Sequence, residues 1–256
     1  MFNNIPPITK NIIILNIVVY IVTNFFLYAL DNYDLYYSLA AYYPFSPNFK
    51  SWQIITHMFM HAPFKEPSGI MHILFNMFTL YSFGPILEYN LKRNKYLILY
   101  FLSGFGAFFL FNFWNFIEIQ QITANLQNLG VDVSEIYRQS DINFSEQILL
   151  NNKTPEIFEL SRKLLISLRS PMLGASGAIF GVVAAFATLY PDAKIGIMFI
   201  PVPIKVKILL PIIIVGSVIL GVTGNVGGIA HLAHVGGAIV GYILAKIWKK
   251  HLYRFN

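Results

Sequence analysis

The 256-residue chain contains no cysteine. Disulfides, thiolate nucleophiles and cysteine-ligated metal centres are therefore excluded. Charge is also scarce. Asp, Glu, Lys and Arg make up 12% of the residues, about half the roughly 25% of a soluble domain. The net charge is +6, yet the sequence has no dense basic run, so nucleic acid is not an expected partner. There is no internal repeat and no low-complexity tract.

What fills the chain instead is apolar: 56% of residues are hydrophobic, and they come in long blocks. A bilayer-spanning helix needs about 20 mostly apolar residues. Six blocks approach that length: Ile12–Leu30, Ile70–Leu87, Tyr96–Ile117, Met172–Tyr190, Ile208–Val222 and Ile229–Trp248. The fifth is short and contains Pro211. The first follows Lys10 but lacks a small-x-small cleavage site after it, so it reads as an uncleaved span. The expected architecture is an all-α membrane protein, a single domain over residues 1–256.

Six spans put both termini on one side. If that side holds the N-terminus, the 88–95 turn, the 191–207 loop and the C-terminal tail, it carries 11 basic and 2 acidic residues. The other side carries 7 basic and 10 acidic residues. Basic residues near span ends mark the inside, so both termini are expected in the cytoplasm, and the membrane is expected to be a bacterial cytoplasmic (inner) one. Two outside segments are long. Asp31–Gly69 is rich in Tyr, Phe, Pro and Trp, residues that settle at membrane interfaces. Glu118–Ser170 is polar, with 7 acidic and 5 basic residues, and reads as an extracytoplasmic insertion carrying one or two surface helices. The 223–228 loop, "TGNVGG", is short.

Polar groups inside a bilayer are costly and ask for a function. The second span carries His72 and Asn76, four apart and so on one helix face. The fourth opens with Gly174, Ser176 and Gly177, and the sixth holds His231 and His234. Glu88 ends the second span and is expected to reach the interface. Ser176 falls near a helix N-terminus, where free N–H groups favour developing negative charge. The glycines beside it clear a path for a carbonyl. A hydroxyl, an imidazole and further donors at one depth are the parts of an acyl-transfer site: nucleophile, base and oxyanion stabilisers. No carboxylate lies at that depth, so the pair would be a Ser–His dyad whose base works neutral.

The combination of "GASG" opening one span, "HILFN" on an earlier span and "AHVGGAIVG" on the last resembles the rhomboid intramembrane serine proteases over roughly Trp52 to Trp248. The resemblance implies a six-transmembrane-helix rhomboid-like bundle with a membrane-associated first loop and a long insertion between helices three and four. It makes Ser176 the nucleophile and His234, with Ala233, Gly237 and Gly241 around it, the base. It gives His72, Asn76 and the Ser176 backbone N–H the oxyanion, with Gly174 and Gly177 lining the site. Phe180 would pack on the base imidazole, and His57 and His61 would be structural histidines of the first loop. Gly237 and Gly241 would let the sixth helix approach the fourth. Transmembrane protein substrates and the lipid bilayer are the implied partners, and no cofactor or metal is required. The sequence sets no oligomeric state.

Two departures stand out. The family's first loop often carries Trp-Arg where this chain has Trp52-Gln53, and the 118–170 insertion exceeds the minimal core. Other readings compete. Ser176 could serve helix packing alone, and His231 could be the base. His57 and His61 have helical metal-ligand spacing, but Met58 stands where a metalloprotease motif needs Glu. A catalytically inactive relative that binds membrane segments, and a channel or transporter built on the histidines, complete the alternatives.

Overall fold

The computed structural model describes residues 5–67, 69–151, 153–197, 200–222 and 228–252. Most of the 223–228 loop and the end of the C-terminal tail lie outside them. The fold is predominantly helical: α1 Pro7–Ala29, α2 Asp34–Leu39, α3 Gln53–Thr56, α4 Gly69–Asn128, α5 Ser134–Gln139, α6 Pro155–Arg169, α7 Ser176–Leu189, α8 Val206–Val222 and α9 Gly228–Leu252.

Helix α1 begins at Pro7, five residues before the expected span, because proline's fixed φ suits the first helical position. Its free N–H groups are met by Glu88. One carboxylate oxygen accepts from Ile8 N–H at 2.9 Å, and the other accepts from Thr9 N–H and Thr9 Oγ at 2.7 and 2.8 Å. Glu88 is 3% exposed. The helix end thus supplies the hydrogen bonds that water would otherwise give the carboxylate. Three further buried polar residues of α1 bond within the helix: Asn16 to Ile12 O, Thr23 to Val19 O and Asn24 to Tyr20 O. The opposite face presents Ile14, Ile17, Val18, Ile21 and Phe25 outward, which suits hydrocarbon as solvent.

The second and third apolar blocks form one 60-residue helical run broken at Lys92, where φ is 67° and ψ 166°. The chain doubles back there. A Cβ on Gly84 would sit 2.6 Å from the Tyr96 hydroxyl, while 12 residues of straight helix span about 18 Å. Among the described residues, α1 and α4 are long and apolar enough to cross a membrane, and Ser176–Leu189 and Val206–Gly216 are shorter apolar helices. The main core is Leu80, Leu87, Tyr96, Leu99 and Tyr100 of α4 against Ala178, Val182 and Ala185 of α7.

Helix α4 continues eleven residues past the expected end at Ile117. Ile119, Ile122 and Leu126 keep the helical spacing and are buried against Leu164, Leu165 and Leu168 of α6. Together with α5 they form a second core that also takes in Tyr43 of the first loop. Hydropathy falls at Glu118, but the helix does not end there, because its apolar residues continue at helical spacing against α6. A missed element lies between α7 and α8: an antiparallel hairpin, β1 Lys194–Ile197 and β2 Ile200–Lys205, pairing Ile195 with Ile204. The alternation in "KIGI" was its signal. Asp192 is exposed and pairs with Lys207 and Lys205 at 2.8 and 3.3 Å, which holds its carboxyl below the usual range.

Helices α7 and α9 pack backbone to backbone. A Cβ on Gly237 would overlap Gly177 O, and one on Gly241 would overlap Gly181 O. Side chains larger than hydrogen are excluded at these positions, so the helices bearing Ser176 and His234 touch directly.

Candidate active site

Ser176 is the first residue of α7, so its own N–H is among those the helix leaves unpaired. The turn before it is made by Gly174, whose φ of +123° is rarely open to a residue with a side chain. Gly174 N–H donates to His57 O at 3.0 Å, and Met172 forms a two-way backbone bridge with Ala41. The serine is thus hung on the first loop from two points.

His234, on α9, places Nε2 2.9 Å from Ser176 Oγ. With the ring proton on Nδ1, Nε2 accepts the hydroxyl hydrogen, which is the geometry a general base needs. Phe180, one turn below the serine, lies parallel to the imidazole with 4.2 Å between ring centroids and 4° between planes. His231 stands edge-on to His234 at 5.8 Å. The imidazole bonded to the serine is that of His234.

His72 approaches from α4. A Cβ on Gly174 would meet His72 Nε2 and Cε1 at 3.1 Å and Ser176 Oγ at 3.5 Å, so imidazole edge, glycine and hydroxyl converge on one point. Ala62 N–H donates to His72 Nδ1 at 3.3 Å. That bond places the ring hydrogen on Nε2, the nitrogen facing the serine. Asn76 gives one amide hydrogen to His72 O at 2.8 Å and keeps the other. Ser176, His234, His72 and Asn76 all line one cavity of about 620 Å³, which runs between α4 and α8 as far as Val206 and Leu210. Gly177 does not face this cavity; a Cβ there would strike Ala107 of α4.

His57 and His61 are both about 1% exposed but turn apart. His57 Nδ1 donates to Gln53 O at 2.8 Å and the ring packs on Phe108 at 5.7 Å. His61 packs on Tyr20 and on His72 at 6.4 and 5.1 Å. No group of three or more His, Asp or Glu among the described residues is arranged to hold a metal.

Gln53, noted in the sequence only as a departure, is fully buried. Its Oε1 accepts from Lys50 N–H at 3.0 Å and Tyr42 N–H at 3.4 Å, and its Nε2 donates to Tyr37 O and Asn48 O at 3.3 Å. A neutral amide thus serves both donors and acceptors of the folded loop. Trp52, half exposed, donates from its indole to Ser38 O at 2.9 Å. The Ala62 amide and the Asn48 side chain also escaped sequence reasoning, because each makes a contact between a side chain and a backbone group.

The family model described as "Rhomboid domain" matches residues 48–117 and 152–251. An uncharacterized mitochondrial rhomboid protein of Schizosaccharomyces pombe is 25% identical over 78% of this chain and 52% of its own length. The mitochondrial RHOMBOID-like protein 12 of Arabidopsis thaliana is 28% identical over 81% of this chain and 50% of its own. Rhomboid protease AarA of Providencia stuartii is 24% identical over 93% and 71%. The chain spans about half the length of the first two relatives. Their names correct the expected bacterial cytoplasmic (inner) membrane. Both are mitochondrial proteins, as are three further matches. Hydropathy and charge bias specify a membrane and an orientation within it, not which membrane it is.

Proposed function

Since the chain belongs to the rhomboid family, we propose that it is an intramembrane serine protease, a six-span domain with residues 118–170 as an insertion on the active-site side. The observation that carries this reading is the 2.9 Å contact between Ser176 Oγ and His234 Nε2 at the start of α7. The proposed substrates are membrane proteins whose transmembrane segment reaches the cavity between α4 and α8. A helical segment must first unwind locally, since its amides are shielded and already hydrogen-bonded.

Ser176 Oγ attacks the scissile carbonyl carbon as its proton passes to His234 Nε2. The carbonyl oxygen, now anionic, takes hydrogen bonds from Ser176 N–H, His72 Nε2–H and the free amide hydrogen of Asn76. Collapse breaks the C–N bond, and His234 returns the proton to the departing amine. Water then attacks the acyl-enzyme with His234 again as base, releasing the acid and restoring the serine. The neutral His234 has no carboxylate partner in this scheme. Phe180 holds the ring plane where an acid would otherwise orient it.

The test is cleavage of a generic single-span substrate by the purified protein beside Ser176→Ala and His234→Ala. Loss of cleavage in both, with labelling of Ser176 by a fluorophosphonate in the wild type, is expected. Equal cleavage by wild type and Ser176→Ala overturns the reading.

A further inference from the structure

The buried polar network between the insertion and the first loop centres on Asn48, which is 4% exposed. Its amide bonds backbone groups from two distant parts of the insertion. Nδ2 donates to Ser140 O at 2.8 Å and to Leu168 O at 3.4 Å, and Oδ1 accepts from Ile142 N–H at 2.9 Å. Ser46 adds a bond from Oγ to Leu168 O at 2.7 Å. Tyr43 fills the insertion's own apolar core. The loop and the insertion are therefore joined by satisfied, buried hydrogen bonds and shared packing.

The same loop holds the nucleophile's turn. Asn48 O accepts from Gln53 Nε2. Gln53 O accepts from His57 Nδ1, and His57 O accepts from Gly174 N–H. Ala41, two residues before Tyr43, is bridged to Met172. Two short paths thus run from the insertion through the first loop to residues 172–174.

We propose that Asn48 is a positioning residue: through it the 118–170 insertion braces the first loop and, by way of His57 and Ala41, fixes the Met172–Gly174 turn that aims Ser176. The catalytic consequence rests on the protease reading above. The brace itself does not. An amide suits the task because it supplies both a donor and an acceptor to backbone groups, as a strand neighbour would. Removing it leaves Ser140 O buried, and Ile142 N–H part-buried, without the side-chain partner each has here.

Two variants test the brace from opposite sides. Asn48→Ala removes the amide. Ile142→Pro removes the N–H that Asn48 Oδ1 accepts and keeps the Asn48 amide, at the second position of the Asp141–Phe144 turn, where proline is well tolerated. In the full chain in lipid, both are expected to speed amide hydrogen exchange in the 172–175 segment about tenfold or more, while α9 exchanges as in the wild type. Both are also expected to slow fluorophosphonate labelling of Ser176 and to lower kcat about tenfold with KM unchanged. Unchanged exchange at 172–175 in both variants overturns the proposal. So does uniform acceleration across α1, α7 and α9, which marks a general loss of fold. If the wild type neither labels nor cleaves, the protease reading fails, and the exchange measurement still decides the brace.

Discussion

Ala62 N–H donates to Nδ1 of His72 at 3.3 Å, and that bond selects the tautomer whose Nε2 carries the hydrogen. A first-loop backbone amide, ten residues away, thus decides which nitrogen of His72 can donate toward the space above Ser176. A single oxyanion-hole donor is worth about 10²–10³ in kcat. His72→Ala is expected to lower kcat by that order with KM little changed, since the donor acts mainly on the developing charge. Equal kcat in the variant and wild type removes His72 from the oxyanion site.

The parallel stack of Phe180 on His234 predicts a smaller effect. Such a ring pair contributes about 0.5–1.5 kcal/mol. Phe180→Ala should lower kcat roughly three- to tenfold, and Phe180→Tyr, which keeps the ring face, should retain most of it. Loss in the tyrosine variant equal to that in the alanine variant would show that the stack is not what orients His234.

Close packing of α7 on α9 predicts opposite outcomes for two glycines. Gly237→Ala drives a methyl into Gly177 O and is expected to destabilise by about 1–3 kcal/mol. Gly216→Ala, in α8, meets nothing within 4 Å and should be neutral or stabilise by up to about 1 kcal/mol through helix propensity. Thermal or denaturant unfolding in detergent reads both. Equal midpoints for the two variants count against the packing assignment.

Glu88 caps α1 with three hydrogen bonds. Glu88→Ala strands two backbone N–H groups and the Thr9 hydroxyl in a buried site, at about 1–3 kcal/mol. The unfolding midpoint should fall, with kcat of the folded fraction unchanged. A fall in kcat at full foldedness would instead place Glu88 in communication with the distant serine.

Much of this molecule is written in its residue order, but unevenly. The polar residues Ser176, His234, His72 and Asn76 stood out because each interrupts an apolar block, where polarity demands a reason. The glycines of α9 stood out by their spacing. Hydropathy located α1 and both halves of α4, and the charged stretch around Lys92 located the turn between them. It misjudged where α4 ends, because Ile119, Ile122 and Leu126 bury themselves against another polar-faced helix and not against lipid. The β1–β2 hairpin was hidden inside a segment read only for its charges. The contacts of Ala62, Asn48 and Glu88 were illegible for one reason: each pairs a side chain with backbone amides or carbonyls, which every residue carries and no sequence distinguishes.

The glycine contacts at Gly177–Gly237 and Gly181–Gly241 recur one turn apart along α7 and α9. Two backbone stops in register block both rotation and sliding of one helix against the other. The distance between hydroxyl and imidazole is therefore indexed by main-chain atoms, as a gauge is set by fixed pins. Changes in bilayer thickness or tension will deform the rim of the molecule, where α8 meets the cavity with larger and softer side chains, before they alter the spacing of the reacting pair.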